Sequence, residues 1–506
     1  MGDSNQLKRG VLLNYLNLAL SSLIPLLYTP IMLSILGQNE YGLYKLSGSI
    51  TSYLSLMALG LGSAITRYII KARIEKGPRE EEKMLGLFVA IFFVISSLTV
   101  LVGGLLSINV DRWFSASLAP EDLQTMRILV FLMACNTAAN FMTAPYISIV
   151  NAHERFVFLQ GMNIFATCMA PILNLAALYM GYASLGLAIT SLALVIINRI
   201  LYSIYVHRKM HVTIRFSISS LPYLKEIMLF SFWIFASNIV SQLYGVTDTI
   251  MIGYMPTLAT VGVAIYSMGE ILTSIIATLN SGISSLLIPK ANKMVFEKAT
   301  NKDLTEAAIR MGRLQCLVIA LVVFGFISYG QPFIHFYVGE EYAQSYWVAI
   351  ICMIPGAIPL MQSFCLNIII AQNKNKFRAL VYLFIAVLNV IGSWFLLQIC
   401  GIIGAAIMTA IAFLIGHGFI MNWYYHTHIG IDIVKFWKNM AKILIWPAML
   451  CGCVLSLGKV INFYNLYNLI TGISLFAAMY FAISWRVVMN EYEKGLVRGL
   501  FFRLKA

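Results

Sequence analysis

The sequence predicts an all-α integral membrane protein of about fourteen transmembrane helices, built as two parallel six-helix repeats with two further helices at the C-terminus. Three observations predict it. The 506 residues are 60% hydrophobic and only 11% charged, where an average soluble chain is about 25% charged. Uncharged apolar runs of about 20 residues, the length a helix needs to cross about 30 Å of hydrocarbon, recur along the whole chain. Basic residues collect in alternate connections between those runs. Strand-like alternation is absent, so helices and not a barrel must satisfy the backbone in lipid.

The spans fall at roughly 11–36, 43–66, 84–108, 123–149, 157–180, 184–206, 226–254, 260–288, 314–336, 343–370, 378–398, 402–425, 440–458 and 466–488. With the N-terminus inside, the inner connections carry Lys8 and Arg9, the group from Lys71 to Lys83, Arg155, Arg208 to Arg215, Lys290 to Lys302, Lys374 to Arg378, Lys435 and Lys438, and Lys494 to Lys505. The outer connections hold little beyond Lys45, Arg112 and Lys459, and contain the acids Asp111, Glu121, Asp122, Glu340 and Glu341. The net charge of +14 is therefore topology and not a nucleic-acid footprint. It places both termini in the cytoplasm and the chain in the inner membrane. All eight cysteines lie in apolar spans and read as small buried hydrophobes. Span 1 follows a basic lead, is too long for a signal h-region and lacks a small-residue cleavage site, so it reads as a retained anchor.

In chain order, span 1 contains Pro25 and Pro30 together with Asn14, Asn17 and Tyr28. Each proline removes a backbone hydrogen bond. Either the polar residues bond between helices, or the span is a bent gating helix beside a cavity. Arg67 and Lys45 lie near opposite ends of span 2, where each can snorkel to the headgroups or hold an anion in a cavity. Spans 3 to 6 are plainer, apart from Pro145, Pro171 and Arg199. The turn near Gly181 is short enough to make spans 5 and 6 antiparallel neighbours. The polar segment 207–225 divides the chain.

Beyond it the opening pattern returns at an offset of about 219–220 residues, Gly42 to Gly262 and Lys71 to Lys290. Spans 1 and 7 both start inside, so the repeat is parallel, an architecture that places substrate between the halves. The expected organisation is an N-terminal lobe 1–206, a cytoplasmic linker 207–225, a C-terminal lobe 226–425, and two extra spans with a tail at 426–506. The second half opens with Asp248 and Glu270 in uncharged surroundings. A charge at the centre of a membrane helix costs about 2.5–3.5 kcal/mol on insertion scales, which makes such acids functional candidates; the plainer alternative is pairing between helices. Lys290 to Arg313 reads as an amphipathic elbow with a capping-box-like start at Asp303 and Glu306. His417 reads as a packed polar residue before it reads as a proton relay.

No phosphate-binding G-x-x-x-x-G-K-[ST], H-E-x-x-H or G-x-S-x-G motif occurs. Gly60-Leu-Gly62 lacks the third glycine of a dinucleotide fingerprint. With no extramembrane loop much longer than about 25 residues, an enzyme is not expected.

The layout LG-x-x-x-YGLY (36–44), a span, GLGSAITRY (60–68), then TDTIMIG (247–253) with a VG-x-x-x-Y turn (261–266) resembles the polysaccharide and O-antigen flippases. These belong to the multidrug, oligosaccharidyl-lipid and polysaccharide exporter superfamily. The resemblance covers roughly residues 5–425, and spans 13 and 14 match less specifically. It implies two lobes around a central cavity open to one side at a time, and transfer of an undecaprenyl-pyrophosphate-linked oligosaccharide to the outer leaflet. Family members often carry an acid just before the Leu-Gly of span 2; Ala58 stands there in this chain, so Asp248 becomes the better coupling acid.

On that reading a pyrophosphate would be held by Arg67 and Arg199, with Lys45 and Lys290 behind them. Sugars would meet Tyr28, Asn238, Gln242, Tyr244 and Asn280. Asp248 and Glu270 would take H⁺ or Na⁺; no other cofactor is called for. The implied partners are the lipid-linked oligosaccharide, membrane lipids, and a glycan polymerase and glycosyltransferases, with no nucleic acid. The competing reading within the superfamily is a drug/cation antiporter, which has little need of Arg67 or Arg199. A glycan polymerase or ligase would need a large outer loop bearing Arg or His, which is not found. A scaffold leaves the repeat and the intramembrane acids unexplained.

Overall fold

A computed structural model of the chain describes residues 2–217, 223–372 and 374–503. No strand occurs among them. The helices run α1 (Gly2–Ser52), α2 (Leu61–Lys76), α3 (Pro78–Phe114), α4 (Pro120–Ala152), α5 (Phe156–Tyr179), α6 (Ala183–Ile204), α7 (Tyr223–Gly245), α8 (Thr247–Tyr254) and α9 (Ala259–Phe296). They continue with α10 (Asn301–Val338), α11 (Ser345–Met361), α12 (Ser363–Ala371), α13 (Asn375–Cys400), α14 (Ile402–Phe413), the short α15 (Asn422–Tyr424), α16 (Ile433–Leu457), α17 (Leu466–Ile483) and α18 (Glu491–Arg503).

Among the described residues, eleven helices are long and apolar enough to cross a membrane, or thirteen if two bent pairs each count as one span. The first of these, Leu12–Ala58, holds the first sequence span and most of the second. All fourteen sequence spans thus have a helical counterpart. The division within α1 is not at a proline. The backbone leaves helical geometry at Gly37, with φ 72° and ψ 172°, a conformation only glycine adopts cheaply. Asn17, on the same helix, accepts a hydrogen bond from Thr167 Oγ1 at 3.2 Å, which is the interhelical role open to it.

The chain forms two compact units, Met1–Ala264 and Ile265–Ala506. The first takes in α7 and α8 as well as the six spans before the 207–225 connection. Its core gathers Leu61, Ile65, Phe88, Phe92, Ile149 and Val206 from α2, α3, α4 and the turn that follows α6. In lipid no hydrophobic drive brings helices together, so small residues and polar contacts must. Gly103 of α3 meets Ala134 of α4 so closely that a Cβ would lie 2.2 Å from the alanine Cβ. Between these helices and α2, the carboxylate of Glu81, 3% exposed, receives His153 Nε2 at 2.9 Å and lies 3.8 Å from Arg73 Nη1. The segment after α6 returns along α3: Thr213 N donates to Glu82 Oε1 at 3.3 Å and Arg215 Nε lies 2.7 Å from Glu82 Oε2. Thr213 and then Arg215 hold the Glu82 carboxyl below the usual carboxylate range. The strap is therefore present at neutral pH and weakens as pH falls through that lowered value.

The second unit is centred on α10. Its start is capped by Thr300, which accepts from Asp303 N while Asp303 accepts from Thr300 N. The capping box thus sits three residues ahead of the Asp303–Glu306 pair that the sequence suggested. The expected elbow is the end of α9 and the start of α10, joined by a short turn. The two C-terminal spans pack on α10: Tyr480 Oη donates to Leu317 O at 2.7 Å, and Phe476, Tyr329 and Leu450 share a core. His417 is buried against the rings of Tyr382 and Phe413, the packed position expected of it. None of the eight cysteines, all of them among the described residues, is in a disulfide.

Candidate substrate and coupling site

The span-2 sequence SGSITSYLS (47–55) holds six hydroxyl side chains in nine residues. Hydroxyls inside a helix compete for its carbonyls and bend it. Thr51 Oγ1 donates to Ser47 O at 2.8 Å and Ser52 Oγ to Ser49 O at 2.7 Å. Immediately after them the α-helix tightens into a 3₁₀ turn, Tyr53–Ala58, and ends at Leu59 and Gly60, both left-handed at φ 51° and 72°. The chain then resumes as α2. Span 2 is thus interrupted within its apolar run, where the sequence reading had it continuous to residue 66.

The opposing helix of the same unit is interrupted too. α7 ends at Gly245, Val246 takes φ −134°, and α8 begins at Thr247. The two breaks face one another through side-chain bonds. Gln242 Nε2 donates to Ser55 Oγ at 3.0 Å, and its Oε1 lies 3.2 Å from Ser52 Oγ. The hydroxyls of Tyr53 and Thr247 are 2.6 Å apart. Irregular backbone at membrane depth is tolerated only where it is buried in protein or lines a cavity. Broken helices of this kind supply the polar groups of transporter sites.

Asp248 lies in the first turn of α8, 3% exposed. That is the end of a helix where a carboxylate is best accommodated, beside backbone N–H groups that lack intrahelical partners. Near the start of α9, Asn39 Nδ2 donates to Asp122 Oδ1 at 3.0 Å and its Oδ1 accepts from Thr260 Oγ1. A Cβ on Gly42 would lie 2.0 Å from Thr260 O. The two turns that the sequence repeat equates, around Gly42 and Gly262, therefore touch through backbone, which explains glycine at position 42.

The expected site residues divide between the units. Tyr28, Arg67, Arg199, Asn238, Gln242, Tyr244 and Asp248 belong to the first, and Glu270 and Asn280 to the second. Gln242 and Asp248 lie at the facing breaks; Tyr244, half-buried, closes α7 beside them, and Asn238 is exposed two turns earlier. Arg67 is exposed in the middle of α2, the helix that resumes after the break. Arg199 is half-buried on α6 with its guanidinium carbon 3.7 Å from the centre of the Tyr146 ring. Such a cation–π contact is worth about 0.5–2 kcal/mol and fixes the charge between α4 and α6. Tyr28 is half-buried in α1. Lys45 lies 5.5 Å from the centre of the Tyr41 ring. A small cavity of about 90 Å³, where Asn140, Thr143, Asn163 and Asn198 meet the apolar Ile147, Met162 and Val195, opens between α4, α5 and α6.

In the second unit Glu270 is half-buried on α9. Asn280 is 3% exposed, and its Nδ2 donates to Ser284 Oγ at 3.2 Å and to Leu360 O at 3.3 Å. Ser284 Oγ donates to Ser363 Oγ at 2.8 Å, and the Gln315 amide closes the group against both serines. These residues surround the 46° break between α11 and α12. Asn280 and Gln315 thus hydrogen-bond the polar groups around that interruption. Sequence reasoning missed Ser52, Ser55, Thr247, Ser284, Gln315 and Ser363. The hydroxyl-rich run 47–55 was the signal for the first two; the others have none, since they meet only through the fold.

The family described as "Polysaccharide biosynthesis protein" matches residues 7–295. No curated protein matches the chain. Among solved structures it is similar to the lipid II flippase MurJ in an inward closed conformation, with a TM-score of 0.70 at 14% identity, over 95% of this chain and 99% of that one. It is also similar to an inward-facing multidrug resistance MATE family transporter of the MOP superfamily, with a TM-score of 0.59 at 12% identity over 85% and 98% of the two chains. The Vibrio cholerae MATE transporter VcmN in its bent form matches with a TM-score of 0.54 at 18% identity over 87% and 98%. At these identities the likeness is one of fold.

Proposed function

The chain belongs to the polysaccharide biosynthesis protein family, and on that premise we propose that it is a flippase for a lipid-linked oligosaccharide. It works in the inner membrane with both termini cytoplasmic, by alternating access and without a chemical step. The observation that carries the reading is the pair of interrupted helices in the first unit, joined through Ser52, Ser55, Gln242, Tyr53 and Thr247. A lipid tail can stay in the bilayer, whereas sugars and pyrophosphate need polar groups at membrane depth to replace water. Hydroxyls and an amide at facing breaks supply them, and this unit also carries Arg67 and Arg199 for the phosphates.

If either arginine holds pyrophosphate, Arg67→Gln or Arg199→Gln should cut surface glycan about tenfold or more with protein level unchanged. Normal glycan from both variants would remove them from the site. Export of cationic drugs with no effect of either change would favour the antiporter.

Asp248 is the coupling group of this reading. Holding an ionised carboxylate inside a membrane helix is costly, so taking up H⁺ or Na⁺ there favours whichever conformation binds the cation better. Asp248→Asn should abolish gradient-dependent movement of a labelled lipid-linked oligosaccharide in vesicles. Full gradient-dependent movement in that variant would transfer the role elsewhere, with Glu270 the next acid to change.

A further inference from the structure

The second unit has an open, groove-like cavity of about 570 Å³ at its surface, lined by Arg310, Arg313, Lys435, Lys442, Asn439 and Glu306, with apolar Ile309, Val487 and Met489 also on its wall. Its two polar walls are matching stripes on packed helices. Positions 306, 310 and 313 descend one face of α10, and 435, 439 and 442 descend one face of α16. The connection from Val487 to Asn490 crosses between them.

The charges are not used up by the protein. Arg313 is held by Glu493, Nε to Oε1 at 2.6 Å and Nη2 to Oε2 at 3.0 Å. Arg310 lies over the Tyr492 ring at 4.9 Å. Among the described residues, neither Arg310, Lys435 nor Lys442 has a carboxylate within 4 Å. Nor do they serve the helix starts, which are capped by Asp303, Asp432 and Glu493. Topological preference for basic residues explains cations at this end of the helices, but not their convergence on one cavity.

We propose that this cavity binds the phosphate headgroup of an anionic phospholipid. Three cations against one lining acid suit a phosphate diester. Arg310 offers the planar fork of donors that phosphate oxygens match, and Lys435 and Lys442 act as point charges. The apolar wall of Ile309, Val487 and Met489 distinguishes a lipid from a soluble phosphate, because it gives the start of an acyl chain a surface beside the charged stripes. Basic pockets between membrane helices on the cytoplasmic side recognise anionic headgroups on this principle. The proposal does not depend on the cargo, and its test reads lipid binding and not transport.

The test uses the full chain in nanodiscs of mixed phosphatidylglycerol and phosphatidylcholine, with retained lipid counted by native mass spectrometry. Wild type should retain phosphatidylglycerol in preference to phosphatidylcholine. At the strength of an exposed ion pair with the phosphate, Lys435→Gln/Lys442→Gln should weaken retention about thirty-fold and Lys442→Gln alone about five-fold. Lys298→Gln/Lys302→Gln removes the same charge from the exposed turn at the start of α10, outside the cavity, and should leave retention unchanged. Equal loss from the two double variants would mean diffuse surface attraction and overturn the site. Unchanged retention in Lys435→Gln/Lys442→Gln would do the same, and displacement of the lipid by millimolar inorganic phosphate would assign the cavity to a soluble anion.

Discussion

Replacing Glu493 by Ala is expected to destabilise the second unit by about 3–5 kcal/mol, the cost of leaving a buried charge without its partner. Glu493 is 1% exposed and does two jobs. Its oxygens take a two-pronged contact from Arg313, which also donates to Val488 O at 2.7 Å. One of those oxygens accepts from Asn490 N at 2.9 Å while Asn490 Oδ1 accepts from Glu493 N at 2.9 Å, a reciprocal cap that starts α18. The substitution removes the cap and strands the guanidinium of Arg313 together. Thermal unfolding of the purified protein should show a clearly lowered midpoint. Arg313→Met/Glu493→Leu, which removes both charges and keeps apolar volume, should recover most of the loss, because such replacements are often neutral or stabilising. An unchanged midpoint for Glu493→Ala would mean that water already reaches the pair.

That pair also marks where sequence reasoning stops. Arg313 and Glu493 are 180 residues apart, and neither is singled out by its own stretch of sequence. The membrane class and the helix count were legible, because span length and composition are local and the cost of charge in lipid is steep. The likeness of the segments around Gly42 and Gly262 was legible as well, and the two segments touch at Gly42 and Thr260. Interruptions were harder. Pro25 and Pro30 drew attention, yet α1 changes direction at Gly37, since neighbouring turns can absorb a proline in a membrane helix. Span 2 breaks with no proline at all. Its cause is a hydroxyl run followed by Leu59 and Gly60 in left-handed conformation, and hydropathy averages over such a feature. Arg67 therefore lies on α2, beyond the break, and not on one helix continuous with residues 43–52.

Gly60→Ala tests whether that break is essential to unit 1. At φ 72° an alanine costs about 1–2 kcal/mol in backbone conformation. Its Cβ would also lie 2.6 Å from Ser231 O and 2.8 Å from Phe235 N. Both are backbone atoms of α7, so no side chain can turn aside to make room. Overpacking of this kind adds about 1–3 kcal/mol. The strain can be relieved only by moving α7 away from the break, which separates Gln242 from Ser52 and Ser55 and Thr247 from Tyr53. Gly62→Ala is the matched control, since a Cβ there meets nothing within 4 Å. Gly60→Ala should lower both the unfolding midpoint and transport, and transport should fall further than at a variant of equal stability loss elsewhere in the unit. Equal behaviour of the two alanine variants would mean that α7 accommodates the methyl group and that close approach at Gly60 does not hold the facing breaks in register.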